Sequence, residues 1–298
     1  MTRLSRRCLL LGAGASLGCA PTPGTFVGWV GGDVHLGRAM GPLLVGLGLV
    51  GPGFVNLEGP VAERPAPCHQ AARSTQGGLR RCLANAPGGL VRLLRAGIEV
   101  VGIANNHALD RGPEGRDTTL RALRGVGLAP SGAPWGAPRI VQRGRGVAFT
   151  SVDLHGQGPD RLRDELSRAG EVVAFHVTGP PSYLPTPELR EAVDLALAAG
   201  ARVVVAHGSH ALGAVERRGG AVIAWGLGNL AFACDCTEER DGLLLQLELD
   251  DAPPRVRVIP IDAGLGGAPA TPASDPALTF ELLAALGSSP IGDAGWLS

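Results

Sequence analysis

The chain has 298 residues, of which 45% are hydrophobic, and its formal net charge is zero. That hydrophobic content excludes an intrinsically disordered protein, and the length suits one large domain or two small ones. The zero net charge gives no electrostatic basis for binding nucleic acid, and aromatic residues, at 4%, are too few to form a surface on which bases stack. We therefore expect a globular α/β protein with no nucleic-acid partner.

The first element in chain order is a leader over residues 1–19, with arginines, then an apolar run, then small residues up to Cys19. That order is typical of an export signal. The letters SRR at 5–7 resemble a twin-arginine signal, and SLGC at 16–19 resembles an imperfect lipoprotein signal whose leucine would be expected one position earlier. The alternative is an ordinary membrane anchor, but the apolar run is short for a membrane span. We expect an exported protein, periplasmic or envelope-anchored, lipidated at Cys19 and touching the membrane only through that lipid.

After a short linker at 20–25, strands and helices alternate. Strands are predicted in TFVGWVGGDVHLG, GFVNLEG and IEVVGIANN, and a loop over 60–87. Helices are predicted over 38–49, in GGLVRLLRAG and over 114–126; in the second of these Leu90, Leu93 and Leu94 are expected to share one face.

The second half continues the alternation and then turns to hairpins. A helix over TPELREAVDLALAAG has Thr186 as its expected N-cap, Pro187 at its first position and Gly200 just past its end. Hairpins are predicted in RIVQRG with GVAFTSVDL and, turning at 219–220, in GAVERRGGAVIAWGLGN. The remaining predicted elements are a helix over 160–169 and strands in EVVAFHV, ARVVVAHGSH, GLLLQLELD and RVRVIPI. This order predicts a layered α/β sandwich with a mixed sheet, in which residues 26–263 form the domain and 264–298 a C-terminal tail with one weak helix.

Polar residues collect at one edge of the predicted sheets. In open α/β sheets, ligands bind at the carboxyl ends of the strands. A single histidine there is more often a core or surface residue, but burying many polar groups is costly unless they are paired or bind a metal. Five of the seven histidines, together with a carboxylate or amide from each of three strands, lie at such ends: His35, His107, His176, His207 and His210, with Asp33, Glu58, Asn105 and Asn106.

The spacing of these residues favours metal binding. Asp33 and His35 lie on the same side of an extended segment, and His207 and His210 come from one turn. Histidine, carboxylate and amide ligands together suit Mn, Fe or Zn. Seven candidates exceed what one tetrahedral ion needs, so we expect two divalent ions, of the kind that clamp a phosphoryl group. The candidate ligands are Asp33, His35, Glu58, Asn106, His176, His207 and His210.

Five motifs, GGDVHLGR, NLEGPV, ANNHALDRG, AHGSHAL and WGLGNLAF, follow one another between about residues 26 and 235. In this order they resemble the CapA family of bacterial capsule and poly-γ-glutamate synthesis proteins. The resemblance implies a single-domain, four-layer α-β-β-α metallophosphoesterase-like sandwich with mixed sheets. Two departures, HVTG at 176–179 and GS at 208–209, keep the candidate ligands and put the shape of the substrate site in question.

The resemblance also implies a role for each motif residue. Asp33 and His35 would bind the first ion, Glu58 would bridge both ions and Asn106 would bind the second, with His176, His207 and His210 as the remaining ligands. A metal-bound hydroxide would be the nucleophile and His107 the general acid that protonates the leaving group. Arg38, Asn105 and Asn229 would lie near the substrate, where an arginine can hold a phosphate or carboxylate with two hydrogen bonds. Asp110 is interpreted as the N-cap of the helix over 114–126.

The function implied is that of a capsule or poly-γ-glutamate synthesis protein that hydrolyses or transfers phosphoryl groups, with a phosphorylated or polyanionic small molecule or polymer as substrate. Capsule-synthesis membrane proteins would be its partners. The alternative is a non-hydrolytic polymer-assembly or anion-binding surface lipoprotein that retains the fold. The sequence separates these readings only by analogy.

The cysteines leave two pairings open. Cys68 and Cys82 flank a polar loop and could form a disulfide in an oxidising compartment. Cys234 and Cys236 have a C-x-C spacing, which is poor geometry for a mutual disulfide. A zinc half-site is the other reading of this spacing, although no second cysteine pair accompanies it.

Overall fold

The computed structural model describes residues 24–63, 82–132, 137–234 and 236–298. The predicted leader with Cys19, and most of the predicted loop over 60–87, lie outside these residues. None of the described helices has both the length and the apolar character needed to cross a membrane. The strands are β1 Phe26–His35, β2 Gly53–Leu57, β3 Ile98–Gly102, β4 Ala129–Ser131, β5 Arg139–Gln142, β6 Arg145–Asp153, β7 Val172–His176, β8 Val203–His207, β9 Val215–Arg218, β10 Ala221–Ala224, β11 Asn229–Phe232, β12 Asp241–Leu249, β13 Arg255–Asp262, β14 Gly264–Leu265 and β15 Thr271–Pro272. The helices are α1 Leu90–Arg95, α2 Gly112–Gly125, α3 Pro159–Leu166, α4 Pro187–Ala198 and α5 Pro276–Ala285.

The strands form two mixed sheets. The first has the order β15-β13-β12-β1-β2-β3-β4, with β11 pairing in parallel with the end of β1. Within it β1 to β4 run parallel, whereas β12 and β13 are antiparallel to their neighbours. The second sheet has the order β5-β6-β7-β8-β10-β9, with a parallel centre and antiparallel hairpins at both edges. Parallel strands place their carboxyl ends at one edge, so each sheet presents such an edge.

The two sheets pack face to face, with helices on both outer faces. Between the sheets lies an apolar core in which Phe54 of the first sheet stacks on Phe149 of the second at 5.6 Å. Helices α1 and α2 bury Leu93 and Leu123 against the outer face of the first sheet. Helices α3 and α4 bury apolar residues, among them Leu162, against the outer face of the second. This arrangement confirms the predicted four-layer α-β-β-α sandwich with mixed sheets.

Local signals explain several elements. The side chain of Thr186 accepts a hydrogen bond from the backbone N–H of Leu189 (3.2 Å) and caps α4, and Pro187 is the first residue of that helix. The hairpin β9–β10 turns at Gly219 and Gly220, both with positive φ. These features confirm the predicted cap and turn.

The predicted helix over 38–49 is wrong. The segment is an irregular loop whose Gly41, Gly46 and Gly48 have positive φ, a backbone conformation that breaks helices. The apolar face of α1 also differs from the prediction, because Leu90 is buried whereas Leu94 is 38% exposed.

The disulfides answer part of the cysteine question. Cys234 and Cys236 are joined by a disulfide, which corrects the expectation from their spacing and removes the zinc half-site. Cys82 is also disulfide-bonded, while its predicted partner, Cys68, lies outside the described residues. All three cysteines in the described residues, Cys82, Cys234 and Cys236, are therefore oxidised.

Residues 264–298 pack on the rest of the chain. Strand β15 pairs with β13, and Leu283 of α5 is fully buried in the core between the sheets. The hydroxyls of Ser288 and Ser289 accept hydrogen bonds from the backbone of β9. The weak helix predicted in this segment is present as α5 and covers the end of the sandwich.

Candidate metal centre

The carboxyl ends of the parallel strands from both sheets meet at one edge of the sandwich. The first sheet contributes residues at the ends of β1, β2 and β3, and the second sheet contributes the last residues of β7 and β8, His176 and His207, which are register partners. Asp33, Glu58 and His176 each offer a ligand atom, and these three atoms lie within 4.8 Å of one another. The edge therefore holds a group of three residues with the chemistry and spacing of a metal site.

Asp33 lies at the centre of this cluster and is fully buried. Its Oδ2 accepts a hydrogen bond from the backbone N–H of Gly208 (2.9 Å), which joins the two sheets. The rings of His207 and His210 place their Nδ1 atoms 3.3 Å from its two oxygens. Before Asp33, Gly32 lies so close to Gly228 that a Cβ would come within 2.1 Å of its carbonyl oxygen. Only glycine fits there, and the close approach fixes where β1 ends.

Glu58 follows β2 and is 1% exposed. The Nδ2 group of Asn56 donates to both Oε1 of Glu58 (2.7 Å) and Oδ1 of Asp33 (2.8 Å), so one buried amide holds two carboxylates together. Nδ1 of His176 lies 3.4 Å from the same Oε1, while Oε2 of Glu58 is buried and has no hydrogen-bond partner among the described residues. Nε2 of His176 hydrogen-bonds to Oδ1 of Asn106 (3.0 Å), which brings the β3 motif into the cluster.

His107 and Asp110 form a pair beside the cluster. The Nδ1–H group of His107 donates to Oδ2 of Asp110 at 2.6 Å, and the same oxygen accepts from the backbone N–H of Leu83 (2.7 Å). The predicted N-cap role of Asp110 is wrong, because α2 begins at Gly112 with Arg111 as its cap residue and no side-chain capping bond. Asp110 is instead buried and orients the imidazole of His107.

The electrostatics of the cluster follow from burial and close charges. Burial lowers the pKa of His176 to about 3 and that of His35 to about 4. Burial, reinforced by the charge of Asp33, raises the pKa of Glu58 to about 7. Neutral imidazoles have a free lone pair, which is the form that binds metals.

Asp33 and His210 shift in opposite directions because they face each other. Burial alone would raise the pKa of Asp33, but the imidazoles of His207 and His210, each 3.3 Å from one of its oxygens, hold it well below its usual value. Burial would lower the pKa of His210, but the hydrogen bond and charge of Asp33 raise it to about 9. Without metal the two therefore form an ion pair at neutral pH. His210 also has a positive φ of 56°, a sparsely populated conformation for a non-glycine residue.

The donor atoms in this cluster fit a cation. Buried polar atoms are nearly always hydrogen-bonded, so clustered exceptions need an explanation. Among the described residues, such atoms without a hydrogen-bond partner include Nδ1 of His35, Oε2 of Glu58, Nδ1 of His176 and both ring nitrogens of His207. A divalent cation satisfies imidazole nitrogens and carboxylate oxygens of this kind together. All seven predicted ligands lie at this one edge, and they fit a metal on the chemistry of their donors.

Two predicted substrate residues have another task in the structure. Nδ2 of Asn105 donates to Oδ1 of Asn56 and to the carbonyl of Leu57, and its Oδ1 accepts from the backbone of His107. Oδ1 of Asn229 accepts from Nδ1–H of His210 (2.9 Å), and its Nδ2 donates to Thr237 and Glu239. Both amides are buried and hydrogen-bonded within the protein, and their contact with substrate stays a prediction. They position His107 and His210.

Three further residues that shape the site were not predicted from the sequence. The one sequence signal for Asn56 is that it is a polar residue inside the buried strand β2. Asn85 holds the chain around the site, accepting from the backbone of Leu36 and donating to the carbonyls of Glu58 and Gly59, but it lies in a loop without a distinguishing pattern. Arg111 lines a cleft beside His35 together with the predicted Arg38, and only its place in the ANNHALDRG motif pointed to it.

Comparisons with known proteins show which family this chain is similar to. A family model described as "Bacterial capsule synthesis protein PGA_cap" matches residues 52–152 and 154–234, which is more than half of the chain. The "Capsule biosynthesis protein CapA" of Bacillus anthracis is 26% identical over 186 residues, covering 52% of this chain and 45% of that protein. The "PGA biosynthesis protein CapA" of Bacillus subtilis (strain 168) is 29% identical over 191 residues, covering 55% of this chain and 50% of that protein. The matched region spans about half the length of these curated relatives.

Proposed function

The chain belongs to the bacterial capsule synthesis protein family PGA_cap, a family of the metallophosphoesterase-like superfamily, and from that premise we propose that it is an exported, metal-dependent hydrolase or transferase of phosphoryl groups that acts in the assembly of an anionic capsule polymer. The strongest support is the buried group of Asp33, Glu58 and His176, whose ligand atoms lie within 4.8 Å of one another. A polymer-assembly role is supported by the names of the relatives, which are capsule and PGA biosynthesis proteins.

Two divalent ions are part of this proposal. When bound, such ions would polarise the phosphoryl oxygens and lower the pKa of a water molecule. Two ions are proposed because the donors exceed one coordination sphere and come from both sheets. The residues that would hold them are Asp33, His35, Glu58, Asn106, His176, His207 and His210.

The chain's own acid is His107. Its Nδ1–H is committed to Asp110, which leaves Nε2 as the ring atom that can hold a proton for the substrate. In hydrolysis, a water oxygen bonds to phosphorus as the bond from phosphorus to the leaving oxygen breaks, and Nε2 of His107 gives its proton to that oxygen. The proton released by the water restores the acid. The side chain of His107 is 17% exposed, so a substrate can reach it.

Export is supported by the order of residues 1–19 and by the disulfides at Cys82 and between Cys234 and Cys236, since disulfides persist in oxidising compartments. Lipidation at Cys19 would place the protein on the envelope, near the capsule-synthesis membrane proteins proposed as partners. Cell fractionation of the wild type and of Cys19→Ala tests this part. We expect the wild type in the membrane fraction and the variant in the soluble exported fraction, and a cytoplasmic wild type would contradict it.

The central experiment measures metal content and hydrolysis on the same samples. Wild type and Asn106→Ala, reconstituted with Mn, Fe or Zn, are analysed for bound metal and assayed with p-nitrophenyl phosphate and bis-p-nitrophenyl phosphate. We expect about two ions per chain and hydrolysis in the wild type, both reduced in the variant. A wild type that binds no metal would overturn the proposal.

A second candidate function is non-hydrolytic polymer assembly, favoured by the names of the relatives, which mention synthesis and no hydrolysis. In that case the site would bind or transfer an anionic polymer or an acyl phosphate. Metal binding without hydrolysis of either phosphoester, with His107→Ala still abolishing polymer production in cells, would select this function.

A further inference from the structure

A cleft of about 440 Å³ opens beside the cluster of proposed metal ligands. His35, a proposed metal ligand, forms part of its wall, so the cleft reaches the cluster. Cys82 and Cys234, both disulfide-bonded, lie on its lining. The cleft is therefore a cross-linked extension of the site rather than a separate cavity.

Two arginines line this cleft. Arg111 is half-buried, and its Nε and Nη1 atoms are buried without a hydrogen-bond partner among the described residues. Guanidinium nitrogens that are buried without a partner are costly, because they have lost their water and gained no acceptor. Arg111 is also the cap residue of α2, where the positive end of the helix dipole disfavours a cation and favours an anion. Both features point to an anionic group that is supplied from outside the chain.

Arg38 provides the second guanidinium and is exposed to solvent. The one described acidic residue on the cleft lining is Glu63. Two arginines and one glutamate leave a net charge of about one positive unit, which suits a singly charged oxyanion better than a doubly charged phosphate. A carboxylate has that charge, and its two oxygens match the fork of a guanidinium.

We propose that Arg38 and Arg111 form a carboxylate-binding subsite in this cleft. The substrate then carries a carboxylate in addition to the phosphoryl group that lies at the proposed metal ligands. The subsite adds a substrate class to the proposed function. The phosphoryl group of the substrate rests on the proposed function, whereas carboxylate binding by the two arginines does not. Arg111 then determines which substrates are preferred, whereas the proposed metal ligands would act on any phosphoester.

The test compares ligands that differ only in charge at one end. The hydrolysable pair is 4-carboxyphenyl phosphate and its neutral isostere 4-carbamoylphenyl phosphate. Benzoate and benzamide, which have no phosphoryl group, are measured by ligand-observed NMR binding. The variants are Arg111→Gln and Arg111→Lys, with Arg124→Gln as the matched control, since Arg124 is exposed near the other end of α2.

We expect the wild type to prefer the carboxylate phosphoester by about tenfold in kcat/KM. This ratio falls toward one in Arg111→Gln, is intermediate in Arg111→Lys, which keeps the charge but loses the fork, and is unchanged in Arg124→Gln. Benzoate binds in preference to benzamide, and Arg111→Gln removes that preference. Equal use of both phosphoesters by the wild type, or a ratio that survives Arg111→Gln, would overturn the proposal.

The two proposals can fail separately. Benzoate binding that depends on Arg111 in a protein without phosphoester hydrolysis supports the subsite and counts against the proposed function. Hydrolysis of both phosphoesters at equal rates, with no benzoate binding, supports the proposed function and overturns the subsite. If Arg111→Gln does not fold, Arg38→Gln makes the same test, because its exposed side chain can be replaced without opening the core.

Discussion

His107 donates from Nδ1 to Oδ2 of Asp110 at 2.6 Å, and Asp110 is completely buried. Four residues of one motif thus contain an imidazole and the carboxylate that fixes its orientation. The pair lies next to the proposed metal ligands, but neither residue is among them. Its contribution to catalysis can therefore be separated experimentally from metal binding.

Replacing His107 by alanine should lower kcat for a phosphoester by roughly 10²- to 10⁴-fold, because a general acid is lost. Metal content should stay at the wild-type value, since His107 is not among the proposed ligands. Steady-state kinetics and metal analysis on one preparation check both statements. The matched control is His155→Ala, an exposed histidine away from the site, and an equal loss of activity there would point to a general effect of histidine removal.

Replacing Asp110 by asparagine should lower kcat by roughly 10- to 100-fold while metal content is kept, because the orienting partner of the imidazole is changed. The variant should also be less stable by about 1–3 kcal/mol, since Asp110 is buried and accepts hydrogen bonds from His107 and from the backbone of Leu83. Kinetics and urea unfolding measure the two effects. Asp293→Asn, an exposed aspartate, should leave both unchanged; full activity in Asp110→Asn would contradict the orienting role.

Replacing Glu58 by glutamine should reduce the metal content and remove the stabilisation that metal gives. Metal stabilises the native state by mass action, by about 2.7 kcal/mol when free metal exceeds its dissociation constant 100-fold. Thermal melts with and without added Mn or Zn measure this difference, which should be large in the wild type and small in the variant. Glu99→Gln alters an exposed residue of β3 and should keep the metal response. A response that persists in Glu58→Gln would contradict its role as a ligand.

In the metal-free protein, the pair Asp33–His210 predicts a pH-dependent stability. The folded-state pKa of His210 is raised from 6.5 to about 9, so its contribution is fully present below pH 6.5 and is lost as the pH rises through 9. The pKa of Asp33 is lowered below 3.8, so its contribution is present above that pH and is lost in stronger acid.

The free-energy difference between metal-free wild type and His210→Gln should therefore be largest between about pH 4 and 6.5, on the order of a few kcal/mol, and should shrink by pH 9.5. Urea unfolding in the presence of a chelator at pH 5.5 and 9.5 measures it. The same difference at both pH values would show that the ion pair does not contribute.

Replacing Gly32 by alanine should destabilise the protein by about 1–3 kcal/mol and lower its metal affinity, because the new Cβ meets the carbonyl oxygen of Gly228 at 2.1 Å and displaces the adjacent Asp33. Gly125→Ala adds a methyl group in the last turn of α2, where no atom lies within 4 Å, and should be neutral or stabilising. Unfolding curves and metal titrations of the two variants check the contrast. Normal metal affinity in Gly32→Ala would show that the close approach does not position Asp33.

Local sequence patterns predicted a layered α/β sandwich and the edge at which the site lies, whereas the four-layer order was implied by the family resemblance. Apolar runs alternating with amphipathic segments identify parallel strands and their covering helices, and the carboxyl ends of such strands converge by topology. His176 and His207 could be assigned to one edge in this way, although their partners were unknown. The cap at Thr186 has an equally local cause.

The features that were predicted wrongly or missed depend on contacts between distant segments or on backbone conformation. The loop over 38–49 has apolar spacing that suits a helix, but its glycines take positive φ, which no spacing reveals. Asp110 stands where an N-cap is plausible, and only the fold brings Leu83 to it. The amide of Asn56 holds Asp33 and Glu58 together through a strand pairing that a single sequence does not specify.

The hydrogen bond from Gly208 to Asp33 spans 175 positions of the chain and crosses from one sheet to the other. A cut between Gly132 and Ala137 would leave four proposed ligands in the first fragment and three in the second, with neither fragment holding a complete set. Each fragment produced separately should therefore bind metal weakly, and mixing the two fragments should restore metal binding. Metal uptake would then measure the association of the two fragments, and the site would report whether the two sheets have packed together.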